Sequence, residues 1–417
     1  MEKKKVLVVG SGGREHAIVD ALSRSPQVAK IYCAPGNAGI AEQAQIVAIK
    51  ETDVAALKLF ALENAIDLTV VGPEAALAAG VVDEFRAAGL SVFGHTKQAT
   101  QIESSKEFAK KLMLKYGIPT AGYKSFDSYQ EAKDYVFSRP LPAVLKYDGL
   151  AAGKGVVVAE TLQQADDALR EMLLDDCFGQ GRVVVEDFLE GPEFSFMCFV
   201  CGDKLYPMPL SQDHKRAYDG DKGPNTGGMG AYTRLPFVTD EDWKFAFEKI
   251  MQPTATAMQS EGLPLTGVLY GGLMKTADGI KVIEFNARFG DPETEVVLPL
   301  LNSDIYEVFA SIAENKPLKN PEWDDAATIG IVLASKGYPG AYQKGFPILG
   351  LETVDAKIYH MGTAVQNKSV VTSGGRVMIV VSKAPTLVEA HAKAMTEVPK
   401  IACENLFYRS DIGHKAF

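Results

Sequence analysis

The chain has 417 residues, 47% of them hydrophobic and 23% charged, with a formal net charge of −10. That length exceeds one ordinary core and points to about three domains, while the acidic balance argues against a nucleic-acid scaffold, which needs a basic face. No apolar run approaches the roughly 18 to 20 residues of a membrane span, and the basic start Met1-Glu-Lys-Lys-Lys5 lacks a signal peptide's apolar core. A cytoplasmic enzyme without a membrane or nucleic-acid partner is expected.

The continuous apolar run at residues 5–10 predicts a buried strand, and 15–24 has helical spacing. Between them Gly10-Ser-Gly-Gly-Arg-Glu-His16 places glycines where a backbone can approach an anion and a helix start offers free N–H groups. A phosphate fits this turn better than a dinucleotide, because Glu15 replaces the third glycine of G-x-G-x-x-G and no acid ends the second strand to hold a ribose. Glycines serving only packing are the alternative. His16 reads as a brace for the loop. Strands near Ile31, 68–71 and 91–93 alternate with helices at 54–63 and 77–88, the pattern of a parallel α/β layer. Pro35-Gly-Asn-Ala-Gly39 and Val71-Gly-Pro-Glu74 then fall at carboxyl ends of strands, the usual ligand edge. A small phosphorylated substrate is expected there.

Ser104-Ser-Lys-Glu107 predicts a capping box opening a helix to residue 116, with a domain boundary near 103. Strands at 143–146, 155–159 and 182–187, with a helix at 162–174, predict a small α+β lobe. Asp148-Gly-Leu-Ala-Ala-Gly-Lys-Gly155 fails the Walker A pattern at both ends. It reads instead as a flexible glycine-rich hairpin closing over nucleotide phosphates, with Lys146 as a point charge; a solvated edge lysine is the alternative. After the apolar strand Val183-Val-Val-Glu-Asp-Phe-Leu-Glu-Gly-Pro-Glu193 a purine can bond to backbone, with Glu193 on the ribose. Cys198 and Cys201 sit at an odd offset on a strand and read as core thiols, and five cysteines without paired zinc spacing fit a reducing compartment.

Ser211-Gln-Asp-His-Lys-Arg216 and Gly223-Pro-Asn-Thr-Gly-Gly-Met-Gly230 combine charge with a loop rich in backbone donors, an anion nest. His214 reads as a solvated loop residue more readily than as a general base. A hairpin at 268–275 and 280–286, turned by Asp278-Gly279, ends in Glu284 and Asn286, which share one strand face. A carboxylate beside an amide oxygen offers the hard ligands Mg²⁺ accepts while sharing nucleotide phosphates; an ordinary strand and solvated turn is the alternative. A polar linker at 317–325 precedes a strand-rich tail, 327–417, with one helix near 387–398. The expected division is 1–103, 104–316 with a lid lobe at about 120–192, and 327–417.

Taken together, GSGGREHA, PGNAG, VGPE, SSKEFAK, LKYDGLAAGKGV, VVEDFLEGPE, QDHKR, GPNTGGMGAY and IEFNARFGDPE resemble, in order, the motifs of the glycinamide ribonucleotide synthetase family of the ATP-grasp superfamily. The last ninety residues resemble it less distinctively. The resemblance implies an N-terminal α/β domain, a two-lobed ATP-grasp unit and a small C-terminal domain; a monomer is expected. It implies ATP-dependent ligation of glycine to 5-phosphoribosylamine through glycyl phosphate, the second step of purine synthesis. It assigns Lys106 and Lys146 to ATP phosphates, Glu186, Asp187, Phe188 and Leu189 to adenine, Glu193 to ribose, and Arg216 and Asn225 to the phosphate end. Glu284 and Asn286 hold Mg²⁺ or Mn²⁺. Gly10, Gly12, Gly13, Arg14, Asn37, Gly39 and Glu74 bind phosphoribosylamine, and Asp213 and Arg288 are the glycine candidates. Many superfamily members carry a further metal carboxylate where this chain reads Tyr270-Gly-Gly-Leu-Met274, which puts two-metal coordination in question. Another ATP-grasp ligase, using formate or bicarbonate, a nicotinamide oxidoreductase and a nucleotide sensor are the rival readings.

Overall fold

Val6, Leu7, Val8 and Val9 are fully buried because strand Lys4–Gly10 is the middle of a five-stranded parallel sheet with both faces covered. Its neighbours are Val28–Pro35 on one side and Leu68–Val71 on the other, with Gln45–Ile46 and Val92–Phe93 at the edges. The chain reverses its direction of winding at the central strand, so a crevice opens beyond Gly10 and Gly72 at the carboxyl ends. The expected helix over 77–88 is instead two helices, Glu74–Ala79 and Val81–Ala87. Gly80 separates them at φ +89°, a left-handed conformation that glycine adopts without strain.

Helix Lys106–Tyr116 is capped by Ser105, whose hydroxyl accepts from the Phe108 amide at 3.1 Å. The expected capping box from Ser104 does not form, because the cap is one residue later: with Ser105 as N-cap, Phe108 rather than Glu107 stands third in the helix, and Glu107 pairs with Arg182 and Lys111. The helix ends at Gly117, φ +66°. The sheet that follows has the order Tyr123–Phe126, Val183–Asp187, Ala143–Tyr147, Val156–Ala159, covered by helices Tyr129–Phe137 and Leu162–Leu173. Phe126, Val136, Leu145, Leu169 and Val183 form a core belonging to this lobe alone.

The computed structural model describes residues 3–149, 155–175, 181–316 and 318–417, so the tip of the expected glycine-rich hairpin, 150–154, lies outside the described residues. The largest sheet is antiparallel and runs Gly279–Asn286, Leu265–Thr276, Glu193–Gly202, Ser211–Asp213, Gly230–Thr233, Ala327–Ser335, Arg376–Ala384, Lys357–His360. The strand-rich tail therefore extends the same sheet: Ala231 pairs with Gly330, and Ile331 with Val380. The expected helix near 387–398 is Leu387–Glu397. Cys198 packs into the core on one face of strand Glu193–Gly202 and Cys201 against the other, as the odd offset requires. The four described cysteines are free thiols, and among the described residues no helix is long and apolar enough to cross a membrane.

Candidate active site

Strand Gly279–Asn286 is the edge of the large sheet, and its last residues face the cleft between the sheet and the small lobe. Glu284 stands opposite Gly272 in register, so the neighbouring strand contributes no side chain beside it. No hydrogen bond or ion pair among the described residues ends on the Glu284 carboxylate. Burial pushes its pKa up, but Lys146, then Lys215, Lys106 and Arg288 together pull it below the ordinary value. An ionised carboxylate ringed by cations and free of a partner is suited to a ligand that the fold itself does not supply. Asn286 is buried, and its Oδ1 accepts from Arg288 Nη2 at 3.1 Å.

The lysines arrive from both sides of the cleft. Lys146 Nζ donates to the Ile283 carbonyl at 2.8 Å and pairs with Glu186 at 3.0 Å. Lys106 Nζ donates to the Gly149 carbonyl at 2.7 Å, tying the start of its helix to the strand that leads into the glycine-rich segment. Glu186 is buried, and its other partner is Lys110 at 2.8 Å, a residue the sequence reasoning missed. Burial lowers the Lys110 pKa to about 8 against the pull of Glu186. Its signal was a lysine on the buried stripe of Ala109, Leu112 and Met113. Because the Glu186 carboxylate is committed to two lysines, only backbone around it is open to a ligand. Just beyond, Phe188 is exposed, and no loop backbone hydrogen bond ends on Phe188 or Leu189 among the described residues. That is a free donor and acceptor edge of the kind a purine recognises. Asp187 bends away to Arg139. Glu193, Arg216 and Asn225 are exposed at the rim and make no direct contact with the Glu284 cluster; Arg216 Nη1 donates to the Gly223 carbonyl at 2.9 Å.

A second cluster lies at the crevice of the parallel sheet. Gly12 N–H donates to Glu15 at 2.6 Å, and Arg14 Nε pairs with the same carboxylate at 2.5 Å, so Glu15 braces the turn in which a third glycine was missing. A side chain at Gly13 would overlap Glu295, and one at Gly10 would meet Glu15 at 2.6 Å, which leaves backbone as the only wall there. Arg288 links this cluster to Asn286, to which Nη2 donates: its Nε lies 3.3 Å from Glu74 and its Nη2 3.0 Å from Glu103. The Asn37 amide hydrogens go to the Ser11 and His360 carbonyls at 2.8 and 2.7 Å, and its oxygen accepts from Gly39 and Ile40. Asn37 therefore shapes the rim with its side chain, and both side-chain N–H groups are taken. His16 is buried and accepts from the His360 amide at 2.8 Å, and burial lowers its pKa to about 3, consistent with a neutral brace.

Asp213 and Lys215 project together from the end of strand Ser211–Asp213 and pair at 2.5 Å. Burial, helped by Glu293 and Glu193, pushes Asp213 up to about 6 against Lys215. Alternation sends His214 the other way, and the expectation of a solvated loop residue is overturned. The ring is fully buried, accepts from Gly413 N–H at 3.2 Å, and is lowered to about 3 by burial and the nearby Arg409. Glu293, likewise missed, is held by Tyr270 at 2.5 Å and Ser195 at 3.0 Å.

Among the described residues no group of three or more His, Cys, Asp and Glu gathers into a metal cage. The unpaired Glu284 carboxylate and the Asn286 amide oxygen are two hard oxygen donors, a set that fits a cation completing its shell with water and nucleotide phosphate. A cleft between a small lobe and an antiparallel sheet, with lysines on both sides and a partnerless carboxylate on the sheet, is the architecture of an ATP-grasp ligase, the class that the family comparison shows. Models of the phosphoribosylglycinamide synthetase N domain, ATP-grasp (A) domain and C domain match residues 4–103, 104–294 and 328–415. The chain belongs to the phosphoribosylglycinamide synthetase family. It is 53% identical to the phosphoribosylamine–glycine ligase of Halalkalibacterium halodurans over 415 residues, covering 99% of this chain and 97% of the relative. It is 50% identical to that of Listeria innocua over 417 residues, 99% of each. The crystal structure of the phosphoribosylamine–glycine ligase from Thermotoga maritima is similar with a TM-score of 0.84 at 31% identity, covering 98% of this chain and 100% of that one.

Proposed function

We propose that the chain ligates glycine to 5-phosphoribosylamine at the cost of ATP, in keeping with relatives named phosphoribosylamine–glycine ligase and with its ATP-grasp domain. The observation that carries the site assignment is the partnerless Glu284 carboxylate under the charges of Lys146, Lys215, Lys106 and Arg288, with unpaired loop backbone at Phe188 and Leu189 just past Glu186, the partner of Lys146. The nucleotide lies with its base on that backbone and its phosphates under Lys106 and Lys146, with Glu193, Arg216 and Asn225 at the rim. Glu284 and Asn286 hold a divalent cation, Mg²⁺ or Mn²⁺, which when bound neutralises phosphate charge.

Asp213 receives the ammonium of glycine and Arg288 its carboxylate, aiming that carboxylate at the γ-phosphorus. Attack there transfers the phosphoryl group, giving glycyl phosphate and ADP. The amine of phosphoribosylamine, held at the turn of Gly10, Gly12, Gly13 and Arg14 with Gly39 and Glu74 beside it, then attacks the acyl carbon, and phosphate leaves as the amide forms. No covalent enzyme intermediate is needed, so the chain's contribution is orientation and charge neutralisation. The small lobe, with a core of its own, is built to move as a unit and shield the acyl phosphate from water. We read the enzyme as a cytoplasmic monomer without nucleic-acid partners, which sedimentation at working concentration checks.

The test supplies glycine, formate or bicarbonate in parallel with ATP and phosphoribosylamine and follows ADP. Glycine alone should support turnover. Glu284→Ala should lower kcat/KM by at least ~100-fold, the loss of ~3 kcal/mol of charge stabilisation. A folded Glu284→Ala enzyme with near-native ligation would overturn the metal assignment.

A further inference from the structure

Gly227 lies in the exposed loop between Gly223 and Gly230, yet its peptide is gripped at both its polar groups by side chains from the strand-rich C-terminal region. Its N–H donates to the Tyr338 hydroxyl at 2.9 Å, and its carbonyl accepts from Arg376 Nη1 at 2.8 Å. The same nitrogen donates to the Asp291 carbonyl at 2.8 Å and pairs with Asp291 Oδ1 at 3.0 Å. These acceptors belong to two segments, the Gly227 loop and Asp291. A methyl group on Gly228 would lie 3.6 Å from Asp213 Oδ2, on the glycine side, whereas one on Gly12 would lie 3.1 Å from Asp291 Oδ2, beside the phosphoribosylamine turn.

Arg376 is also firmly placed. It opens strand Arg376–Ala384, which pairs with Ala327–Ser335, which pairs with Gly230–Thr233 at the far end of the Gly227 loop. The guanidinium thus joins the two segments from within one continuous sheet, its single nitrogen Nη1 reaching the Gly227 carbonyl, the Asp291 carbonyl and the Asp291 carboxylate. The lysines and Glu284 that would face ATP are not among its contacts.

We propose that Arg376, with Tyr338, is a positioning residue for amide formation. It fixes the wall that holds the activated glycine relative to the wall that holds the attacking amine. This rests on the ligase reading above. It gives the C-terminal strands a role in the reaction.

The test uses the full-length enzyme. Glycine-dependent and phosphoribosylamine-dependent ADP release by the unaltered protein comes first, and its absence would sink the ligase reading itself. Given that activity, Arg376→Ala should lower kcat/KM for glycine and phosphoribosylamine by about 10- to 100-fold, the scale of misorientation effects, with the ATP KM within about twofold. Arg376→Lys should recover part of the loss, and added guanidinium ion should rescue Arg376→Ala but not the unaltered enzyme. Tyr338→Phe removes one acceptor and should cost about 3- to 10-fold on glycine. A folded Arg376→Ala enzyme with native glycine and amine kinetics, or with the ATP KM raised in equal proportion, overturns the proposal. Should Arg376→Ala fail to fold, an unchanged glycine KM in Tyr338→Phe overturns it.

Discussion

Glu186→Gln is the sharpest probe of the nucleotide cleft, since it removes one charge and almost no volume. The carboxylate is buried between Lys110 at 2.8 Å and Lys146 at 3.0 Å. Removing one partner of a buried ion pair costs about 3 to 5 kcal/mol when the other must stay charged. Lys110 has an escape, because its pKa in the fold is already lowered to about 8 by burial. At pH 7 its proton is worth only on the order of 1 kcal/mol to the native state, so shedding it caps that lysine's share. Lys146 carries the rest. The sign follows from proton counting: between about pH 8 and 10.5 the unfolded chain binds the Lys110 proton and the fold does not, so native stability from this group rises with pH across that window. The variant should therefore lose about 3 kcal/mol at pH 7, and the loss should shrink by about 1 to 1.5 kcal/mol at pH 9. Hydrogen exchange at strands Ala143–Tyr147 and Val183–Asp187 reads this locally, without assuming that a multidomain chain unfolds in one step. ATP affinity should fall in parallel. A loss under about 1 kcal/mol at pH 7, or one independent of pH, would refute the triad as the element that sets Lys146.

Two further outcomes are expected. With Asp213 at about 6, the glycine KM should climb as pH drops below that value, because a protonated carboxyl cannot pair with an ammonium. Asp213→Asn should raise the glycine KM by about 100-fold and flatten the profile, and a profile that persists in the variant would assign the titration elsewhere. Gly13→Ala places a methyl group 2.9 Å from Met361 Cγ and over Glu295. It should cost about 1 to 3 kcal/mol of stability and raise the KM for phosphoribosylamine while leaving the ATP KM unchanged, and equal effects on both would count against the turn as the amine substrate's site.

Local chemistry was legible in the sequence wherever it depends on period or on a short motif. The run Val6 to Val9 announced a strand buried on both faces, Glu284 and Asn286 announced a shared face by their spacing, and Gly10 to Gly13 announced the turn between the first strand and the first helix. Helix breaks were harder, since Gly80 interrupts a pattern that is periodic on either side of it. Burial of isolated polar residues was not legible at all. His214 was expected in solvent because its neighbours are charged, but alternation turned it toward the C-terminal segment, where Gly413 supplies its partner.

Residue order alone therefore determined the class of chemistry, because phosphate turns, lysines and hard oxygen ligands are local devices with local spacings. Only the tertiary structure decided how those devices combine. Arg288 joins Asn286 to Glu74 and Glu103, Lys110 joins the helix of Lys106 to Glu186, and Arg376 reaches Gly227 and Asp291 from a strand far along the chain. Such long-range pairs depend on sheet register and on which charges burial forces together, and neither leaves a periodic mark in the sequence.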